Sequence, residues 1–134
     1  MTKLIQTSGK RKRAIARAIV KPGKGLVHIN NKLLSAVEPK MIRLRIQEPL
    51  LLAEKAAESV DITVHVQGGG VASQADASRL AIARGLVAFT NSASLKNIYL
   101  DYDRLLLVAD VRRKENAKPN SHGQARAKVQ KSYR

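Results

Sequence analysis

The 134-residue chain has a formal net charge of +15, 44% hydrophobic residues and no cysteine. Disulfides and thiolate metal sites are excluded, the apolar fraction is that of a folded protein, and the length suits one domain. Residues 1–24 hold eight Lys/Arg and no acid, residues 112–134 hold eight against Glu115 alone, and residues 25–111 hold nine of each sign.

Leu4–Thr7 reads as a short strand. Ala14–Val20 reads as a half-buried strand, with Ala14, Ala16, Ala18 and Val20 alternating with Ile15, Arg17 and Ile19. Pro22-Gly23-Lys24-Gly25 predicts a turn and Leu26–Asn30 the partner strand, because Pro presets φ and Gly supplies positive φ. Asn30-Asn31 is the next turn. Pro39 opens a helix with Met41, Ile42, Leu44 and Ile46 on its apolar side. Pro49 is expected to end it and to start another through Leu52, Ala53, Ala56 and Ala57.

Val60–Gln67 is the clearest strand, its apolar Val60, Ile62, Val64 and Val66 alternating with Asp61, Thr63, His65 and Gln67. Gly68-Gly69-Gly70 follows, and Ser73-Gln74-Ala75-Asp76 opens a helix to about Thr90 with a capping-box-like start. Gly85 inside that helix costs about 1 kcal/mol against alanine, which calls for a close neighbour. A short helix at Leu95–Tyr102 and an apolar strand at Leu105–Val108 complete a body spanning 1–111. Residues 112–134 have Val129 as their only aliphatic side chain larger than alanine, so this basic tail is expected to gain order only from a partner. Strands, helices, then a strand, a helix and a strand argue for a two-layer α+β domain. The longest apolar run, Leu105–Ala109, is too short for a membrane span, and a soluble intracellular protein is expected.

A neutral body presenting two cationic ends is the footprint of a polyanion binder, since charge serving solubility alone would be spread. Phe89, Tyr99, Tyr102 and Tyr133 are the only aromatic residues, so phosphate contact and shape should outweigh base stacking. Gly68–Gly70 leads into a helix N-terminus, which reads either as an anion cradle for an RNA phosphate or as a tight turn with close packing. No Walker motif is present. His28, His65 and His122 have no zinc-like spacing, and Asp101, Asp103 and Asp110 read better as solvated acids at an element's end, or as partners of Arg104 and Arg112, than as a divalent site. No nucleophile context is recognisable, so neither an enzyme nor a cofactor is expected.

Four collinear motifs carry a resemblance: Ser8–Ala18; Val66–Gly70 with Ser73–Ala77 and Arg79–Leu86; Asp110–Glu115; and the terminus Gln130-Lys131-Ser132-Tyr133-Arg134. Together they resemble the small-subunit ribosomal protein S-nine family, and the terminus is similar to its archaeal and eukaryotic branch. Bacterial members end in a Ser-Lys-Arg-like tripeptide instead. The resemblance implies a two-layer α/β sandwich related to the second domain of ribosomal protein S-five, with a left-handed crossover. It implies a cytoplasmic, ribosomal protein bound to 16S-type rRNA in the subunit head beside other head proteins. It also implies a C-terminal tail directed at the anticodon loop of peptidyl-site tRNA, ending in Lys131, Ser132, Tyr133 and Arg134. Lys114–Lys118 is less basic than the run usual after the Asp110 motif.

The expected rRNA contacts are Lys10, Arg11, Lys12, Arg13, Arg17, Lys24, Gly68, Gly69, Gly70, Arg79, Arg112, Arg113, Lys114, Lys118, Arg126 and Lys128. A free-standing basic protein that compacts DNA or RNA is the alternative. It is disfavoured because the helix at 73–90 has only Arg79 and Arg84 and so lacks a basic recognition face.

Overall fold

The computed structural model describes residues 3–126. The strands are β1 (Ile5–Arg11), β2 (Ala14–Pro22), β3 (Val27–Ile29), β4 (Lys32–Leu33) and β5 (Val60–Gln67). The helices are α1 (Lys40–Ala53), α2 (Lys55–Glu58), α3 (Val71–Thr90) and α4 (Ala93–Tyr102), with 3-10 turns at Leu34–Ala36 and Arg104–Leu106. The strands form one mixed sheet in the order β1-β2-β5-β3-β4, antiparallel except where β3 pairs with β5.

The alternation read in the sequence sets the core. Ala14, Ala16, Ala18 and Val20 of β2, with Val60, Ile62, Val64 and Val66 of β5, are buried on the face that α3 covers. Small side chains there let helix and sheet approach closely. A Cβ on Gly9 of β1 would lie 2.2 Å from the Ala77 carbonyl oxygen of α3, and one on Gly85 would lie 2.6 Å from Val20 Cγ2. The neighbour that Gly85 calls for is therefore Val20. On the far side of α1, the fully buried Tyr99 donates its hydroxyl to the Pro49 carbonyl at 2.7 Å, and burial pushes its phenol well above the usual pKa.

Several local expectations are corrected. β3 is not the hairpin partner of β2, because β5 inserts between them and takes the hydrogen bonds of both. The true hairpin is β1–β2. β1 runs on to Arg11, and Lys12-Arg13 form the turn, with Lys12 at a left-handed φ of 53°. Pro49 does not end α1, which continues to Ala53 and stops at Glu54, where φ is 47°. Packing against α3 and α4 outweighs the lost N–H bond of an internal proline, which costs about 3 kcal/mol. The buried residues of α1 are Ile46, Pro49 and Ala53, whereas Met41 and Leu44 are exposed. Leu105–Val108 is not a strand, because Asp103 caps a 3-10 turn there by accepting the Leu105 N–H at 2.9 Å.

Candidate nucleic-acid interface

Three segments meet at one end of the sheet. The β1–β2 turn brings Lys12 and Arg13, the β5–α3 connection brings Gly69 and Gly70, and the chain leaving the body brings Arg112, Arg113 and Lys114. With Ser73, Glu115, Asn116 and Ala117 they line an open groove of about 740 Å³. Lys12, Arg13, Arg112, Arg113 and Lys114 are all exposed, so the groove wall is cationic.

The glycine turn has the close packing that one of its two readings called for. Gly68 and Gly69 have φ of 77° and 66°, and side chains there would strike the Arg13 carbonyl at 2.6 Å and the Ala14 nitrogen at 3.0 Å. Those two glycines let the hairpin close onto the connection. A Cβ on Gly70 would meet nothing within 4 Å, so that position opens onto the groove. The helix also starts earlier than the capping-box reading placed it. α3 begins at Val71 after Gly70, with no side-chain cap and no acid in its first turn. Gly70 and Ser73 line the groove, so this N-terminus, without a cap or an acid in its first turn, opens onto it.

Carboxylates next to the groove hold the segment that enters it. Asp110, with an 11% exposed side chain, pairs with Arg11 of β1 and accepts the Arg112 N–H at 2.9 Å and the Arg112 Nη2 at 2.7 Å. The Arg112 guanidinium foremost, then its N–H and Arg11, hold the Asp110 carboxyl well below the usual aspartate range. Arg113 donates to the Asp110 carbonyl at 2.7 Å. Asp76 of α3 faces Arg11 at 3.7 Å and also pairs with Arg45, which raises the pKa of that guanidinium.

The structure divides the expected contacts. Lys12, Arg13, Gly69, Gly70, Arg112, Arg113 and Lys114 come together in the groove, and Gly68 backs it. Lys10 and Arg17 are exposed on the uncovered face of the sheet beside it. Lys24 lies at the opposite end of β2, about 26 Å away at 3.3 Å per residue, where its N–H holds Asp61. Arg11 is engaged by carboxylates. Arg79 is corrected outright: its side chain is 6% exposed and pairs with Glu48 and Asp103, so it serves the fold and is closed to RNA. Burial works against the charge of Asp103, but the Leu105 N–H and Arg79 together outweigh it and keep that carboxyl below its usual range.

Lys118 and Arg126 follow the groove on an exposed segment that turns back on itself. The Lys118 N–H meets the Gln124 carbonyl at 3.1 Å, and Arg126 pairs with Glu115 at 2.6 Å. Lys128, Lys131, Ser132, Tyr133 and Arg134 lie outside the described residues. Sequence reasoning passed over Arg84, which donates to the Ser8 carbonyl at 2.9 Å and the Leu107 carbonyl at 3.0 Å and so ties the end of the body to β1. Nothing in the local pattern marks it, since its partners are backbone atoms more than twenty residues away. Among the described residues no cluster of metal-ligating side chains occurs, and no helix is long and apolar enough to cross a membrane.

The profile of the family described as "Ribosomal protein S9/S16" matches residues 9–134. The chain belongs to that family. Its members are structural ribosomal proteins, not enzymes. The chain is 52% identical over 132 residues to the "Small ribosomal subunit protein uS9" of Methanothrix thermoacetophila, covering 98% of this chain and 99% of that one. It is 53% identical over 128 residues to the protein of the same name from Thermoplasma volcanium, covering 96% of each. The Methanococcus maripaludis protein is 47% identical over 133 residues, covering 98% of this chain and 99% of that one. These family relatives are archaeal, the branch to which the terminal residues point.

Proposed function

We propose that this chain is a structural constituent of the small ribosomal subunit, bound to rRNA of the subunit head beside other head proteins, and that its C-terminal tail reaches peptidyl-site tRNA. The observation that carries the reading is the groove in which both cationic ends of the chain converge on the open N-terminus of α3. Phosphate oxygens suit the cationic side of that wall, with its guanidinium forks, lysine ammoniums and backbone N–H groups, while Glu115 is paired with Arg126. Residues 1–111 act as the docking body, a sandwich of the kind found in the second domain of ribosomal protein S-five, and residues 112–134 as the tail.

The turn at 118–124 opens on docking. Fully extended, the 23 residues from Arg112 to Arg134 span at most about 75–80 Å, enough to leave the body behind. Lys131, Ser132, Tyr133 and Arg134 then lie near the anticodon loop, with the Arg134 guanidinium on its backbone.

Sucrose-gradient sedimentation of cell extract tests the assembly reading: the protein co-migrates with the small subunit, whereas a free compacting protein would track DNA or stay at the top. For the tail, tRNA dissociation is measured from purified small subunits lacking Arg134. One charge-assisted contact is worth about 1.5–3 kcal/mol at most, so dissociation rises several-fold to about a hundredfold while the subunits remain intact. Unaltered retention would leave the tail a purely architectural role.

A further inference from the structure

We infer that the uncovered face of the sheet docks double-helical RNA, contacted along its phosphates and ribose hydroxyls. This rests on the rRNA-binding reading above and extends it from the groove across the sheet. The helices cover one face only, and the other presents the second side-chain set of each strand in cross-strand rows. Lys10 stands in the row of Ile15, Arg17 in the next between Ser8 and His65, and Lys21 at the far end beside Asp61. Among the described residues none of these three cations forms an ion pair.

Among the described residues the one carboxylate of that face is occupied. Asp61 Oδ1 accepts the Lys24 and Leu26 N–H groups at 2.8 and 3.0 Å, and those two bonds hold its pKa below the usual value. Lys10 leads directly to Lys12 and Arg13 at the hairpin tip, so the positive surface is continuous with the groove. A charge balance of this kind complements a phosphate backbone.

The chemistry between the cations selects the form of RNA. Gln6, Ser8, Thr63 and Gln67 offer amides and hydroxyls, and a groove of about 610 Å³ runs beside Arg17 and His65. Among the described residues no Phe, Tyr or Trp stands on this face, and its two imidazoles, His28 and His65, lie in separate rows. Splayed single-strand bases need stacked rings, whereas duplex RNA is read through phosphates and 2′-hydroxyls across a shallow minor groove. A protein partner would need an apolar centre; among the described residues the central strands of the face offer only the half-buried Ile15 and Ile19, and the exposed Leu33 stands apart on β4 at the sheet edge.

The absence of cysteine makes the test direct. Single-cysteine variants Ser8→Cys on the sheet face, Asn116→Cys in the groove and Leu51→Cys on the exposed helical side each carry a tethered iron chelate into reconstituted small subunits. Hydroxyl-radical cleavage of the rRNA is then mapped. The expected result is cleavage of both strands of an rRNA helix from Ser8→Cys, with about tenfold weaker rRNA binding on Arg17→Gln. Cleavage from Asn116→Cys with none from Ser8→Cys overturns this inference and leaves the RNA-binding reading standing. Cleavage from Ser8→Cys confined to unpaired nucleotides, or photocross-linking of position 8 to a neighbouring protein instead of RNA, also overturns it. Silence from all three probes in assembled subunits overturns the reading on which it rests.

Discussion

Arg11 on the hairpin and Asp110 at the end of the body, 99 residues apart in sequence, form an ion pair that ties the two cationic ends of the chain together. Asp110 in turn holds Arg112, which lines the groove. Asp110→Ala is expected to leave the protein folded, to lower its melting temperature and to abolish the protection of the Arg112 amide, which donates to Asp110. Hydrogen exchange checks this; an Arg112 amide equally protected in the variant would show that Asp110 does not hold the tail root.

Acid should act through the same groups. Asp61 and Asp110 are both held below the ordinary aspartate value by hydrogen bonds from Lys24 and Leu26 and from Arg112. A depressed carboxyl contributes stability above its unfolded pKa, about 3.9, and loses it as pH falls through the folded value. Stability is therefore expected to stay level with respect to these groups above about pH 5 and to decline below it. Denaturant midpoints against pH check this, and Asp61→Asn should flatten the acidic limb.

Two glycine substitutions should differ in cost. Alanine at Gly9 places Cβ against backbone, 2.2 Å from the Ala77 oxygen, and overpacking of that kind costs about 1–3 kcal/mol or more. Alanine at Gly85 meets the Val20 and Thr7 side chains at 2.6 and 3.2 Å and gains about 1 kcal/mol of helix propensity. Urea denaturation is expected to show Gly9→Ala as the more destabilising change.

Removal of residues 112–134 is expected to leave a cooperative melt and near-unchanged circular dichroism. Every residue from Val111 to Asn120 is exposed, and the Arg126–Glu115 pair lies on the surface. Affinity for rRNA should fall. Loss of the cooperative transition would make the tail part of the fold.

What was legible in the sequence was local. Strict alternation in β2 and β5 gave their buried faces, and Gly85 announced a close neighbour. The hairpin assignment failed because Pro22–Gly25 has genuine turn chemistry while the partner of β2, at Val60–Gln67, is remote in sequence. Ser73 and Asp76 looked like a cap, yet Asp76 serves Arg45 and Arg11, partners no local pattern exposes. Arg79 reads as a surface cation until Glu48 and Asp103 are seen around it. The concentration of charge at the two ends was plain; that those ends share one groove depends on the sheet order.

The central claim is that the charged ends of the chain, 1–24 and 112–134, dominate RNA binding over the neutral stretch 25–111. The measurement is the affinity for an rRNA head fragment across a range of salt concentrations. If about eight basic residues meet phosphates, log K against log salt falls with a slope of about −6 to −7. A slope shallower than about −2 would contradict the account, because the groove and tail would then not be the binding surface.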